Sequence, residues 1–485
     1  MARGTCAGTR RNLGKNLSSR NNLLDDLFKS FKSFKRVVDM ELMHFALLFI
    51  PVLLAPAAGA PVEAPSVAER RLTFDRRGNF QISVFEDLHF GENAWDSWGP
   101  QQDINSVKVL NSVLDKETPQ LVVLNGDLIT GENAFVHNGS VYIDQIVKPI
   151  VDRGLLWAST YGNHDSDFNI SAASIWAREN SYPNCRTGRM VPGRNAGVSN
   201  YYLPVYSRRC CKPECAPELL LWFFDSRGGF YFQETHTNGS RVGQPGWVDQ
   251  SVVDWFQKTN TDLTAQFSHV IPSLGFVHIP PYVFQAIQKE HGRSSIDPYT
   301  NPGINDDYLL APQAQGWCPD GTNDGSCAYG GQDIPFMRAI ASTPGMIGLF
   351  SGHDHGDTWC YKWDRLVPDT TVTGNGVNLC FGQHSGYGGY GNWVRGARQI
   401  RINRAQLKKN NSIAETWIRL ETGAIVGSVM LNSTFNQDKY PLTKNDKTYC
   451  PTCNYTVVTP HPKASHANKL LQEPSHGEWE ADGEL

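Results

Sequence analysis

Apolar and polar positions follow two rhythms along the chain. Phe80-Gln-Ile-Ser-Val-Phe85 alternates with the period of a strand, and Asp103–Leu114 carries Ile104, Val107, Val109, Leu110, Val113 and Leu114 at helical spacing. Leu121-Val-Val-Leu124 is an unbroken apolar run, as in a strand buried on both faces. Val141–Val151 returns to the helical period and Leu155-Leu-Trp-Ala158 to a strand. This order predicts an α/β architecture with a buried parallel core. Glu218–Phe224, Leu274–His278, Met346–Phe350, Trp359–Trp363, Val377–Phe381 and Ala397–Ile402 read mostly as strands parted by Gly-rich turns, so the second half should add mixed or antiparallel strands. No internal repeat and no sustained heptad pattern occurs.

The two ends break the rhythm. Phe45–Leu54 is apolar but short and Pro-interrupted, and small residues follow it, which suits a signal peptide cleaved after Ala57; a type II membrane anchor is the alternative. The basic stretch before it implies an initiator at Met40 or Met43, or an unusually long n-region over 1–39. The expected organisation is therefore a leader over 1–57, a Pro/Ala/Glu-rich linker over 58–71, one large domain over 72–431 and a polar C-terminal tail over 432–485.

Composition narrows the class. With 40% apolar and 19% charged residues and a mean hydropathy of -0.39, a multi-span membrane protein is excluded, and 11% aromatics without charge blocks exclude long disorder. The net charge of -4 hides an asymmetry: residues 1–39 hold nine Lys and Arg against three Asp, and the chain beyond residue 57 carries -9. No basic face for nucleic acid is implied.

Cysteine use points to export. Beyond Cys6 there are ten, an even number that reads as disulfides in a secretory chain. Proximity suggests Cys318–Cys327, Cys360–Cys380 and Cys450–Cys453, leaving Cys185, Cys210, Cys211 and Cys215 with three connectivities; a zinc knuckle there lacks a His at ligand spacing. Six sequons, at Asn138, Asn169, Asn238, Asn410, Asn432 and Asn454, are possible glycan sites.

Five short motifs carry the chemistry, each after a strand-like run: Asp87-Leu-His89, Gly126-Asp127, Gly162-Asn-His-Asp165, His278, and Gly352-His353-Asp-His355. Singly they are commonplace. Jointly they offer carboxylates, imidazoles and one amide oxygen at strand ends, the donors that two divalent or trivalent cations need when they share a carboxylate.

In these motifs the chain resembles the calcineurin-like metallophosphoesterases, which include the purple acid phosphatases; the likeness runs from about Phe80 to Ile402. The resemblance implies a sandwich of two packed mixed β-sheets flanked by helices, with two metal ions per chain. One ion would be held by Asp87, His89, Asp127 and His355, the other by Asp127, Asn163, His278 and His353. Three residues after Asp127, where purple acid phosphatases place the tyrosine that gives their colour, this chain has Thr130, so it should not be purple and looks closer to the tyrosine-lacking branch. The donor set admits Fe, Mn or Zn.

Two such cations acidify a bridging water and neutralise the phosphoryl oxygens, so no protein nucleophile is required. His164 is expected to protonate the leaving alkoxide. Asp165 is expected either to orient His164 or to cap the turn. Gly382–Gly391 is expected to bring backbone amides and His384 to the substrate, with a flexible β-hairpin turn as the alternative, and Asn163 is a further substrate contact; Trp95, Trp98, Tyr387 and Tyr390 offer a stacking wall, although each alone reads as a surface aromatic. The reading that follows is a secreted phosphatase for phosphate monoesters, with no nucleic-acid partner and no stable membrane span. A phosphodiesterase of nucleotides or lipid head groups is the runner-up, and a non-catalytic glycoprotein on the same fold is the alternative of another class.

Overall fold

The structure, a computed structural model, describes residues 70–448 apart from 211, 213, 293, 308–313, 319–327 and 408–412. The leader, all but two residues of the linker, Cys211, Cys327, Cys450, Cys453, Asn410 and Asn454 lie outside the described residues.

The first half alternates strand and helix: β1 (Asn79–Phe85), α1 (Trp98–Leu114), β2 (Leu121–Asn125), α2 (Tyr142–Asp152), β3 (Trp157–Thr160) and α3 (Ala172–Glu179). Next come β4 (Tyr201–Val205), β5 (Leu219–Phe224), the hairpin of β6 (Phe230–Thr235) and β7 (Arg241–Gly243), α4 (Gln250–Phe267), β8 (Ser273–Val277) and α5 (Val283–Lys289). After α6 (Ile334–Ser342) follow β9 (Met346–Ser351), β10 (Cys360–Trp363), β11 (Val377–Phe381), β12 (Gly396–Asn403), β13 (Ala414–Leu420) and β14 (Ile425–Leu431). α1 starts before its apolar rhythm does, because Pro100 is tolerated in a first turn that needs no intrahelical N–H bond.

Two six-stranded mixed sheets result. One has the order β14-β13-β12-β1-β2-β3 and the other β10-β11-β9-β8-β5-β4. β1, β2 and β3 run parallel, as do β5, β8, β9 and β11; the flanking strands are antiparallel.

Central strands such as β2 and β5 are almost wholly apolar because both faces are covered. On β2, Leu121 and Val123 enter the core between the sheets, while Val122 and Leu124 pack under the helices. On β5, Leu219, Leu221 and Phe223 face the same inner core, and Leu220, Trp222 and Phe224 face the other helix layer. Through the inner core runs an aromatic ladder, Tyr201 on Phe223 at 4.5 Å, Phe223 on Phe276 at 5.2 Å and Phe276 on Phe350 at 5.7 Å.

From residue 432 to Thr448 the chain stays packed on the domain, where a polar tail was expected. Phe435 is buried in the inter-sheet core, Asn436 bonds Asn301 and both backbone groups of Lys362, and Lys447 pairs with Trp393. Sequence reading missed this because the segment anchors through isolated side chains and scattered backbone bonds and has no periodic face.

Cys360 and Cys380 lie opposite each other on β10 and β11 and are disulfide-bonded. Cys210 pairs with Cys215, and Cys318 is also disulfide-bonded. Cys185 departs from the expectation: it is a free, buried thiol behind β3.

Candidate metal centre

Every candidate ligand sits just past the C-terminal end of a parallel strand: Asp87 and His89 after β1, Asp127 after β2, Asn163 after β3, His278 after β8, and His353 and His355 after β9. The structure gathers them into two triads. Ligand atoms of Asp87, His89 and His355 lie within 4.8 Å of one another, and so do those of Asp127, His278 and His353. Asp127 Oδ2 stands between the triads, 2.9 Å from His278 Nε2 and 3.8 Å from His89 Nε2. His89 Nε2 and His355 Nε2 are 3.2 Å apart.

The backbone is bent to make this possible. Asp87, His89, Asp127 and His353 have φ of 53°, 48°, 49° and 79°, in the left-handed region that non-glycine residues seldom occupy. Two glycines give the room: a Cβ on Gly162 would fall 2.2 Å from Asp127 Oδ1, and one on Gly389, at φ 72°, would fall 2.4 Å from His355 Cε1.

The side chains suit cations. His89, His278 and His355 each turn Nδ1 outward, to Thr130 Oγ1 at 3.4 Å, the Asn125 carbonyl at 2.8 Å and the Tyr390 carbonyl at 2.9 Å, leaving Nε2 for the interior. Thr130 therefore supports a ligand ring at the position where a colour-giving tyrosine is missing. Asn163 Oδ1 and His353 Nδ1 are enclosed without a hydrogen-bond partner, as donor atoms facing a cation would be, and His278 Nε2, though close to Asp127, makes no aligned hydrogen bond.

Burial presses the imidazole pKa values of His89 and His353 down to about 4 and about 3, the neutral form that binds metal. Burial and the neighbouring Asp127 push Asp87 up to about 7. Burial works against the His278 imidazolium, yet the Asp127 carboxylate lifts its pKa to about 9. This concentration of like charge is what two cations would relieve.

His164 lies beside the centre with a third of its side chain exposed, its ring edge-on to His89 at 4.9 Å. Its backbone N–H donates to Asp127 Oδ1 at 2.9 Å, and its Nδ1 is 2.8 Å from Glu132 Oε2. Burial opposes the His164 imidazolium, but Glu132 and Asp127 hold its pKa well above the ordinary value.

Glu132 is the functional neighbour that motif reading missed. It lies in a single 3-10 turn, Gly131–Asn133, and its place five residues past Asp127 was the only trace in the sequence.

Asp165 takes the turn-capping alternative and does not orient His164: its carboxylate accepts the N–H groups of Gly162, Leu128 and Ile129 at 2.9, 2.9 and 3.1 Å, tying the Asp127 loop to the Asn163 loop. His384 does not line the opening. It is 1% exposed, its Nε2 is 3.0 Å from the Gly388 carbonyl, and its ring packs against His355 at 3.9 Å. Of the surrounding aromatics, Tyr387 is buried and bonds Glu421, whereas Tyr390 stacks on His355. Among the sequons, Asn238 is exposed at the turn of the β6–β7 hairpin, and Asn138, Asn169 and Asn432 are half-buried.

This fold and site define a dinuclear phosphoesterase scaffold, and comparison agrees: the family model for calcineurin-like phosphoesterases matches residues 82–357, and the chain belongs to that family. It is 24% identical over 422 residues to probable inactive purple acid phosphatase 29 of Arabidopsis thaliana, covering 81% of this chain and 96% of that protein. It is also 24% identical over 366 residues to the phosphatase DCR2 of Saccharomyces cerevisiae, covering 72% of this chain and 55% of that protein. A dimetal phosphatase from Danio rerio superposes with a TM-score of 0.42 at 12% identity, covering 73% of this chain and 98% of that one.

Proposed function

We propose that this chain is a dinuclear-metal phosphatase acting on phosphate monoesters, of proteins or small molecules, in the secretory pathway. The observation that carries the reading is Asp127 Oδ2 standing between two Asp/His triads, which suits one carboxylate shared by two ions. Asp87, His89, Asp127 and His355 would hold one ion, and Asp127, Asn163, His278 and His353 the other. When bound, the ions supply positive charge against the phosphoryl oxygens and acidify a water.

The chain's own residues do the rest. Glu132 accepts a hydrogen bond from Nδ1–H of the His164 imidazolium, so that its Nε2–H is the proton given to the departing alkoxide. The His164 N–H holds the second oxygen of Asp127, so the proton donor and the shared carboxylate keep a common register. Asp165 maintains that register from behind. The disulfides Cys210–Cys215 and Cys360–Cys380 support an oxidising compartment.

The test is metal content together with rates on p-nitrophenyl phosphate and on bis(p-nitrophenyl) phosphate. About two ions per chain and a faster monoester are expected; a diester faster by about tenfold or more moves the reading to a phosphodiesterase. The relative named probable inactive favours a second reading, a non-catalytic scaffold, and two bound ions with no turnover of either ester would establish it.

A further inference from the structure

His355 owes its position to a loop residue. Tyr390 accepts the His355 Nδ1–H on its carbonyl oxygen at 2.9 Å and the His355 backbone N–H on its phenolic oxygen at 3.0 Å. The two rings stack at 4.0 Å and 11°. A carbonyl can only accept, so Nδ1 must carry the proton and Nε2 is left free for a cation. The phenol in turn donates to Asp307 Oδ2 at 2.8 Å.

Tyr390 belongs to a glycine-rich loop with little stiffness of its own, and distant residues hold it. Buried Arg395 donates to the carbonyls of Gly391 and Trp393 at 2.9 and 2.7 Å. Trp393 Nε1 donates to Asp306 at 2.7 Å, and Lys447 donates to the same carboxylate at 3.0 Å while lying 4.8 Å over the Trp393 ring. The backbone of Asp446–Thr448 closes on the loop from the other side: Val394 N–H donates to the Asp446 carbonyl at 3.0 Å, and Thr448 N–H to the Asn392 carbonyl at 2.7 Å.

We propose that Tyr390 is a positioning residue that sets the tautomer and aim of His355, and that the strap Asp446–Thr448 keeps Tyr390 in place. One of the two cations then depends on residues beyond the strands that carry its ligands. This rests on the dinuclear reading above.

The experiment compares the wild-type full chain with Tyr390→Phe and Asp306→Ala, each loaded with Mn²⁺ alone and equilibrated against graded chelator, with bound metal counted by elemental analysis. Tyr390→Phe removes the phenol's bonds to His355 and Asp307 but keeps the ring and the carbonyl. It should weaken one ion by roughly 10- to 100-fold and leave the other at its wild-type affinity. Asp306→Ala frees Trp393 and Lys447 together and should give the same single-ion pattern at about tenfold. Equal weakening of both ions, or unchanged affinity in both variants, overturns the proposal while leaving the dinuclear reading intact. A wild-type chain that binds fewer than two ions overturns both.

Discussion

His278 and His355 present the same donor atom to the same centre from two kinds of support. His278 directly follows β8, fully buried, and rests its Nδ1 on the carbonyl of Asn125, the last residue of β2 in the other sheet. Its aim is thus set where the two sheets meet. His355 lies four residues past β9 and rests on a loop that the chain completes only some ninety residues later, at Lys447. A ligand held by sheets shares their cooperative stability, whereas a ligand held by a strapped loop can be lost without unfolding the core.

The strongest way to break the comparison is to remove what both halves share. Asp127→Ala should cost activity on the order of 10⁴-fold and weaken both ions, as read by steady-state rates and metal analysis. A variant that kept either ion at full affinity would show that the triads are independent. His164→Ala should lose about 10²- to 10⁴-fold in kcat with both ions retained, and Glu132→Gln a smaller part of that, because neither substitution removes a candidate ligand. Loss of metal from either would place His164 in the coordination sphere instead.

Two alanines then separate the supports. Gly162→Ala drives a methyl into Asp127 and His278 and should lower global stability by about 1–3 kcal/mol, measured by denaturant titration. Gly389→Ala meets His355 and His89 in the loop and should reduce metal content with less effect on unfolding. If both variants unfold alike, the two supports form one cooperative unit. The smallest effect is expected at Cys185: burial raises its thiol pKa to about 12, so mass spectrometry should find its peptide unlabelled by iodoacetamide at pH 8 in the native protein and labelled after unfolding.

Most of the scaffold was legible because burial on two faces writes strands such as Leu121-Val-Val-Leu124 and Met346–Phe350 as plain apolar runs, with ligand motifs just past their ends. The supporting residues were not. Glu132 and Tyr390 act through a single turn and a glycine-rich loop, neither of which has a period, and Tyr390 works partly through a carbonyl that any residue possesses. Asp165 looked chemical because it follows His164, and His384 because it sits in a glycine-rich segment, but the fold turns both away, one to brace amides and one to back a ring. The unpaired state of Cys185 and the docking of 432–448 depend on contacts between distant segments, which local spacing does not encode.

The left-handed backbone at Asp87, His89, Asp127 and His353 has an evolutionary consequence. Glycine would occupy each of these positions with less strain, by a margin of about 1 kcal/mol or more per site, so a lineage that had abandoned the metals could gain stability by letting these residues drift. A chain that places carboxylates and imidazoles on all four strained positions carries a backbone cost that two bound cations would offset.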